Sequence, residues 1–443
     1  MGPNSVLQLD GTVGQGNDFT FDGFSGAVLG LGNDTGFGGT LQEMSVSSGA
    51  LPINYVHIEG HTVTITGESG EGTTSGTITL SDGTSLVLQY IESSTWYARA
   101  VSDGSSGTKI FLSDMACYCR GSRIATMRGE VAVEALRVGD IAITASGAQR
   151  PVTWLGSRRV DCTRHPAPQD VWPVCVTAGA FGDGLPRRDL WLSPGHNVFS
   201  AGVLIDIQRL VNGRTIYQQP RATVQYWHVE LDRHDILLAE GLPAESYLDT
   251  GNRTAFENGG AFIELHPDFK PKHWQDTCVP PCRSGPEIER TKAMLIARAG
   301  DMVGGTITSE ADPHIVADGR RFEPIRLGAD RLAFMLPEGS ADIALVSHCF
   351  VPAHTIPASA DPRSLGLCVG RLQLDGRDIP LDEEALDAGW HRPERYPSHV
   401  HRWTAGHTPL PAGTRLVLID LAGHGLYWKE ASAREKQPVL EVA

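Results

Sequence analysis

The sequence predicts an all-β protein, and three observations carry that reading. Glycine is abundant, at 50 of 443 residues, and is spread among Thr, Val and Ser, as many turns between short strands require. Apolar and polar residues alternate with a period of two, as in HTVTITGES (61–69) and VQYWHVEL (224–231). Helical patterning is confined to GPEIERTKAMLIARAG (285–300) and the short IDIQRLVNG (205–213).

Residues 1–114 read as a small β-rich domain. GTITLSDGTSLVLQYI (76–91) is a hairpin signal, because Asp82-Gly83 accepts the positive φ angles of a tight turn. GLGNDTGFGG (30–39) is a single copy of a glycine-aspartate pattern and is read as a loop rather than a calcium-binding repeat. Residues 115–256 form a second domain of short apolar runs separated by turns, with one short helix closed by Asn212-Gly213. Residues 257–284 are irregular and contain prolines, a linker or domain edge. Residues 285–443 predict a β-sandwich with one or two helices. The first helix starts at Pro286, buries Ile288, Leu295 and Ala299, and stops at Gly300. Hairpins are expected at Asp318-Gly319 and Asp375-Gly376.

A formal net charge of -15 argues against nucleic acid and anionic membranes as partners. No run approaches the roughly 18 apolar residues that cross a bilayer, so no membrane span is expected. MGPNSVLQLD lacks the basic and apolar regions of a signal peptide, which leaves localisation open between cytoplasm and export by another route. Eight scattered cysteines do not make a disulfide framework. Cys278 and Cys282, with two prolines between them, read either as a disulfide in an oxidising compartment or as a loop edge. His391, His399, His401 and His407 cluster in HRPERYPSHVHRWTAGH (391–407); without a cysteine or acid at a recognised spacing they read as solvent-exposed, not as metal ligands.

The chemistry-bearing residues concentrate in the second domain. CYCRGSRIATMRGEVAVEALRVGDIAIT (117–144) opens with Cys117 and Tyr118, then Gly121-Ser122 and a strand, and carries a Gly139-Asp140 turn. LSPGH (192–196) supplies a Ser-x-x-His pair, Ser193 and His196. VQYWHVELDRHDILLAEGLPAESYLDTG (224–251) is a closing pair of strands. In order and spacing these three motifs resemble the Hint domain shared by hedgehog proteins and inteins, over roughly a third of the chain.

The resemblance implies a central horseshoe of short strands and a self-processing reaction in cis, turning over once and needing no cofactor. Cys117 would be the nucleophile, attacking the Ala116–Cys117 bond in an N-to-S acyl shift, since cysteine attacks well even when little thiolate is present. His196 would protonate the departing nitrogen. Ser193 would hold the backbone or donate to the oxyanion. His228, Asp232, His234 and Asp235 lie close in sequence and would activate the external nucleophile that takes the thioester, with His234 ranked first and Asp235 second. The family's terminal His-Asn is replaced here by Glu245-Ser246. Serine cannot cyclise to a succinimide, so full splicing is not expected. The substrate is then the chain's own N-terminal segment, and the thioester is cleaved or passed to a small external nucleophile. Cys119, on the same strand face as Cys117, reads as a packing residue. The rival reading is a catalytically silent scaffold in a binding protein, with Trp390, Trp403, Tyr427 and Trp428 as an aromatic platform for carbohydrate or protein.

Overall fold

The computed structural model describes residues 117–248 (apart from 165–167 and 169–170), 256–258, 277–282 and 285–430 (apart from 360, 383–385, 387 and 397–398). Among the first 113 residues it describes 6–9, 13, 17–20, 27–32, 37–42, 46–47, 54–59, 63, 65–69, 75–89, 97–102 and 108–113. Ala116, most of the 257–284 segment and residues 33–36 of the glycine-aspartate stretch lie outside the described residues. The chain divides into two compact units, residues 1–211 with 215–288, and residues 212–214 with 289–443.

In the first unit, the N-terminal strands alternate between two sheets. Val6–Leu9, Ala27–Leu31 and Asn54–Ile58 pair in parallel in one. Asp18–Thr20, Thr40–Gln42 and Ser85–Gln89 pair in parallel in the other. Parallel pairing needs a crossover, and Asp18–Thr20 of the second sheet lies in sequence between Val6–Leu9 and Ala27–Leu31 of the first. Leu29, Leu31, Leu41, Val56, Ile58, Ile78 and Leu88 fill the core. The Asp82-Gly83 hairpin joins Ser75–Leu80 to Ser85–Gln89 as expected, with Gly83 at φ 90°. The Asp82 carboxylate accepts the Thr84 N–H at 2.9 Å.

The rest of this unit is built on one sheet of fourteen strands among the described residues. Its longest pair is Gln149–Asp161 against Thr223–Leu231, antiparallel. The two-residue strand Tyr118–Cys119 is inserted between Leu190–Leu192 and Thr223–Leu231, which puts the second domain's opening residues in the middle of the sheet. The expected short helix is a 3-10 turn, Ile207–Leu210. Pro281–Cys282 pairs in parallel with Val203–Asp206, so part of the segment read as linker adds an edge strand.

In the second unit, the helix runs Pro286–Val303 and buries Leu295 and Ala299 fully. It passes through Gly300 and ends before Gly304, at φ 69°. Gly300 is needed for a close approach: a Cβ there would meet the Gly305 carbonyl oxygen at 2.7 Å. The Asp318-Gly319 and Asp375-Gly376 hairpins form, with all four residues at positive φ. A four-stranded and a seven-stranded sheet bury one shared core, including Ile315, Leu345, Phe334, Val369 and Ile419.

The aromatic platform is not present. Trp390 and Tyr427 are core residues, 8% and 2% exposed, and Trp403 packs against the same core. Trp428 Nε1 donates to the Asn212 carbonyl at 3.3 Å. Large rings release the most apolar area when buried, and these rings do so. His401 is half-buried rather than exposed; its Nε2 lies 2.9 Å from Glu394, and its ring stacks with those of Tyr396 and His399.

Candidate functional site

Cys117 is 1% exposed, and its Sγ lies 2.9 Å from Nε2 of His228. The contact follows from the pleat. Cys119 pairs with Tyr226 across the ladder, and residues two apart share a face, so Cys117 and His228 come together one step further along. Cys117, Cys119 and Tyr226 form one apolar cluster with Val160, Trp191 and Val224. His228 is boxed by the rings of Tyr247 and Phe256, at 4.7 and 4.6 Å. Burial, with a smaller contribution from His196, holds its pKa well below the ordinary value. The ring is therefore neutral, and in the tautomer with its proton on Nδ1 the Nε2 atom faces the thiol as an acceptor.

The main chain at Cys117 is clamped on both sides. Its N–H donates to Ser193 Oγ at 2.8 Å, and its carbonyl accepts the Ser193 N–H at 2.9 Å. The Ser-Pro-Gly-His turn closes with the His196 N–H on the Ser193 carbonyl at 3.1 Å, which brings His196 to the same peptide. Its ring packs on Tyr118 with centroids 4.3 Å apart. Burial lowers its pKa to about 4, against the opposing pull of Glu245 and of nearby main-chain groups of Cys117 and Glu245. Those groups are close enough to bias the ring, but neither ring nitrogen makes a full hydrogen bond among the described residues. A buried imidazole with neither nitrogen hydrogen-bonded is costly.

The two ends of the domain meet here. The Tyr118 hydroxyl donates to the Glu245 carbonyl at 2.7 Å. The Glu245 carboxylate accepts Asn197 N–H and Nδ2–H at 2.9 and 2.8 Å. Its other oxygen lies 3.8 Å from His234 Nε2. Burial pushes the His234 pKa down, but the side chains of Cys278 and Glu245 outweigh it and set it at about 9. The Cys278 main-chain N–H also approaches Nδ1, at 3.3 Å, a contact that opposes protonation of the ring.

Of the residues singled out from sequence, Cys117, Ser193 and His196 come together. His234 faces Glu245 and Cys278, and Asp235 is committed to Arg150 in an ion pair, with Asp232 at 3.5 Å from the same guanidinium. His228, ranked behind both, is the imidazole on the sulfur. The signal for it was the alternation Val224, Tyr226, His228 on one strand face, which becomes informative once that strand is paired with the one after Cys117. Among the described residues no group of three His, Cys, Asp or Glu side chains is arranged to hold a metal ion.

Residues 116–251 match the family model of the Hint domain, and this segment is homologous to the Hint/intein family. Several solved structures are similar to it. The gp41-1 intein is 12% identical, aligning over 29% of this chain and 97% of its own, with a TM-score of 0.22. The MchDnaB-1 intein is 14% identical over 29% of this chain and 99% of its own, TM-score 0.22. The bacterial intein-like domain from Clostridium thermocellum is 14% identical over 30% and 98%, TM-score 0.22. No curated protein matches the chain.

Proposed function

We propose that the Hint domain at residues 116–251 processes its own chain by an N-to-S acyl shift at Ala116–Cys117 and stops at the thioester. The observation that carries this reading is the 2.9 Å contact between the Cys117 sulfur and a buried neutral imidazole, on a residue whose peptide is held from both sides by Ser193.

His228 takes the thiol proton, and the sulfur adds to the carbonyl carbon of residue 116. The C–N bond then breaks, and the nitrogen of Cys117 leaves as an amine. The proton removed from sulfur is the one the nitrogen needs, so the step is neutral overall. His196, packed on Tyr118 with neither ring nitrogen hydrogen-bonded among the described residues, relays it. A protonated His196 is disfavoured by burial, so it passes the proton on rather than keeping it. Ser193 Oγ, which accepts the amide N–H in the resting state, stays beside the nitrogen as it becomes tetrahedral. Ser246 carries no side-chain amide, so nothing cyclises to free the downstream chain. The thioester is resolved by water, a thiol or an amine.

The test is a denaturing gel of purified protein treated with dithiothreitol or hydroxylamine. A fragment ending at Ala116 is expected, together with its complement beginning at Cys117, and both vanish in Cys117→Ala. An uncut chain under every condition would leave the silent scaffold as the reading.

A further inference from the structure

A groove of about 770 Å³ opens where the strand Tyr118–Cys119 ends, lined by Cys119, Arg120, Arg159, Trp191, Arg221 and Val224, among others. Its volume is that of a small-molecule site. Its lining residues Cys119, Trp191 and Val224 belong to the same apolar cluster as Cys117, which lies buried behind them. Cys119 and Cys117 are two residues apart on one strand, about 7 Å along the pleat.

The charge of the groove is out of keeping with the chain, whose net charge is -15. Three guanidinium groups line it. Arg120 is met by Glu134 at 3.6 Å. Glu257, also on the rim, accepts the Arg159 main-chain N–H at 3.1 Å. Among the described residues no carboxylate lies within ion-pair distance of the Arg159 or Arg221 side chain. Arg221 lies over the face of Trp191, 5.0 Å from the ring centroid, and donates to Gln219 at 3.0 Å. Among the described residues the groove thus offers two cations without an ion-pair partner, beside an apolar floor and an indole, with the Glu257 carboxylate on its rim.

We propose that this groove docks the acceptor that resolves the Cys117 thioester, and that the acceptor is a small anionic thiol or amine. The proposal rests on the acyl-shift reading above. Arg159 and Arg221 hold the anionic end, Trp191 and Val224 take the apolar body, and the nucleophile reaches along the strand face to the acyl group. The acceptor's sulfur or nitrogen bonds to the acyl carbon, the bond from that carbon to the Cys117 sulfur breaks, and the acceptor's proton passes through His228 to the departing thiolate. Nothing is oxidised or reduced.

Three thiols of one backbone test this in the full chain: 2-mercaptoethanesulfonate, 2-mercaptoethanol and cysteamine, compared at equal thiolate concentration by the rate of release of residues 1–116. The sulfonate is expected to act with saturation and about 10-fold faster than the neutral thiol, with the ammonium thiol slowest, as a cationic cleft concentrates anions. Raised salt should compress the differences. In Arg159→Gln and in Arg221→Gln the ratio of sulfonate to neutral thiol should fall toward one, and Arg221→Lys should restore part of it. Equal rates for the three thiols, or a preference that survives both glutamine variants, overturns the groove assignment and leaves the acyl shift standing. Release by none of the thiols overturns both.

Discussion

Replacing His228 by asparagine separates the imidazole on the sulfur from every other candidate base. The substitution keeps a polar side chain in the box formed by Tyr247 and Phe256 and removes the nitrogen that stands 2.9 Å from Cys117 Sγ. A positioned general base is worth about 10²–10⁴ in rate. Cysteine is intrinsically a strong nucleophile, so the loss is taken near the lower end. The expected slowing is about 10²-fold, or about 2.7 kcal/mol of barrier. The assay is the rate of release of residues 1–116 in excess dithiothreitol, with the melting temperature as a check that the domain still folds. His234→Asn is the paired control, because that ring contacts Glu245 and Cys278 instead. A His228→Asn protein that cleaves within about threefold of the parent would refute the reasoning, as would a His234→Asn protein slower than it.

The other expectations follow from the same contacts. Ser193→Ala leaves the buried Cys117 N–H without its acceptor; a loss of about 1–3 kcal/mol in urea unfolding is expected, with slower release. Asp235→Asn weakens the pair with Arg150, and partial exposure limits the cost to about 1–2 kcal/mol; release should proceed at the parent rate, which a catalytic Asp235 would not allow. Stability should fall on both sides of neutrality. Native His196, at about 4, refuses a proton that the unfolded chain takes up below 6.5, so stability is lost as pH drops from 6.5 toward 4, by about 3 kcal/mol. Native His234, at about 9, holds a proton that the unfolded chain releases above 6.5, so its contribution is present below 6.5 and lost as pH rises through 9. Urea midpoints across that range check both limbs, and His234→Asn should flatten the alkaline one.

What was legible in the sequence was what local chemistry dictates. The Asp-Gly hairpins at 82, 318 and 375 form because each turn needs positive φ, whatever surrounds it. Ser193 and His196 are three residues apart in one turn, so their joint arrival needs only that turn to reach the start of the domain. What was hidden depends on pairing between distant segments. The alternating pattern in residues 6–89 is the same for parallel and antiparallel partners, so nothing in it announced two sheets joined by crossovers. His228 reaches Cys117 across 111 residues, and a histidine on an alternating strand looks alike whether it faces a thiol or solvent. Gly300 resembled a helix stop, but its missing Cβ serves a carbonyl from the next strand. The same logic bears on Glu245. Its carboxylate is held by both nitrogens of Asn197, 48 residues away, and opposes His234, a pairing that no local spacing announces. The ring nitrogens of His196, neither hydrogen-bonded among the described residues, were hidden for the same reason: burial by distant segments, not spacing, decides whether an imidazole finds a partner.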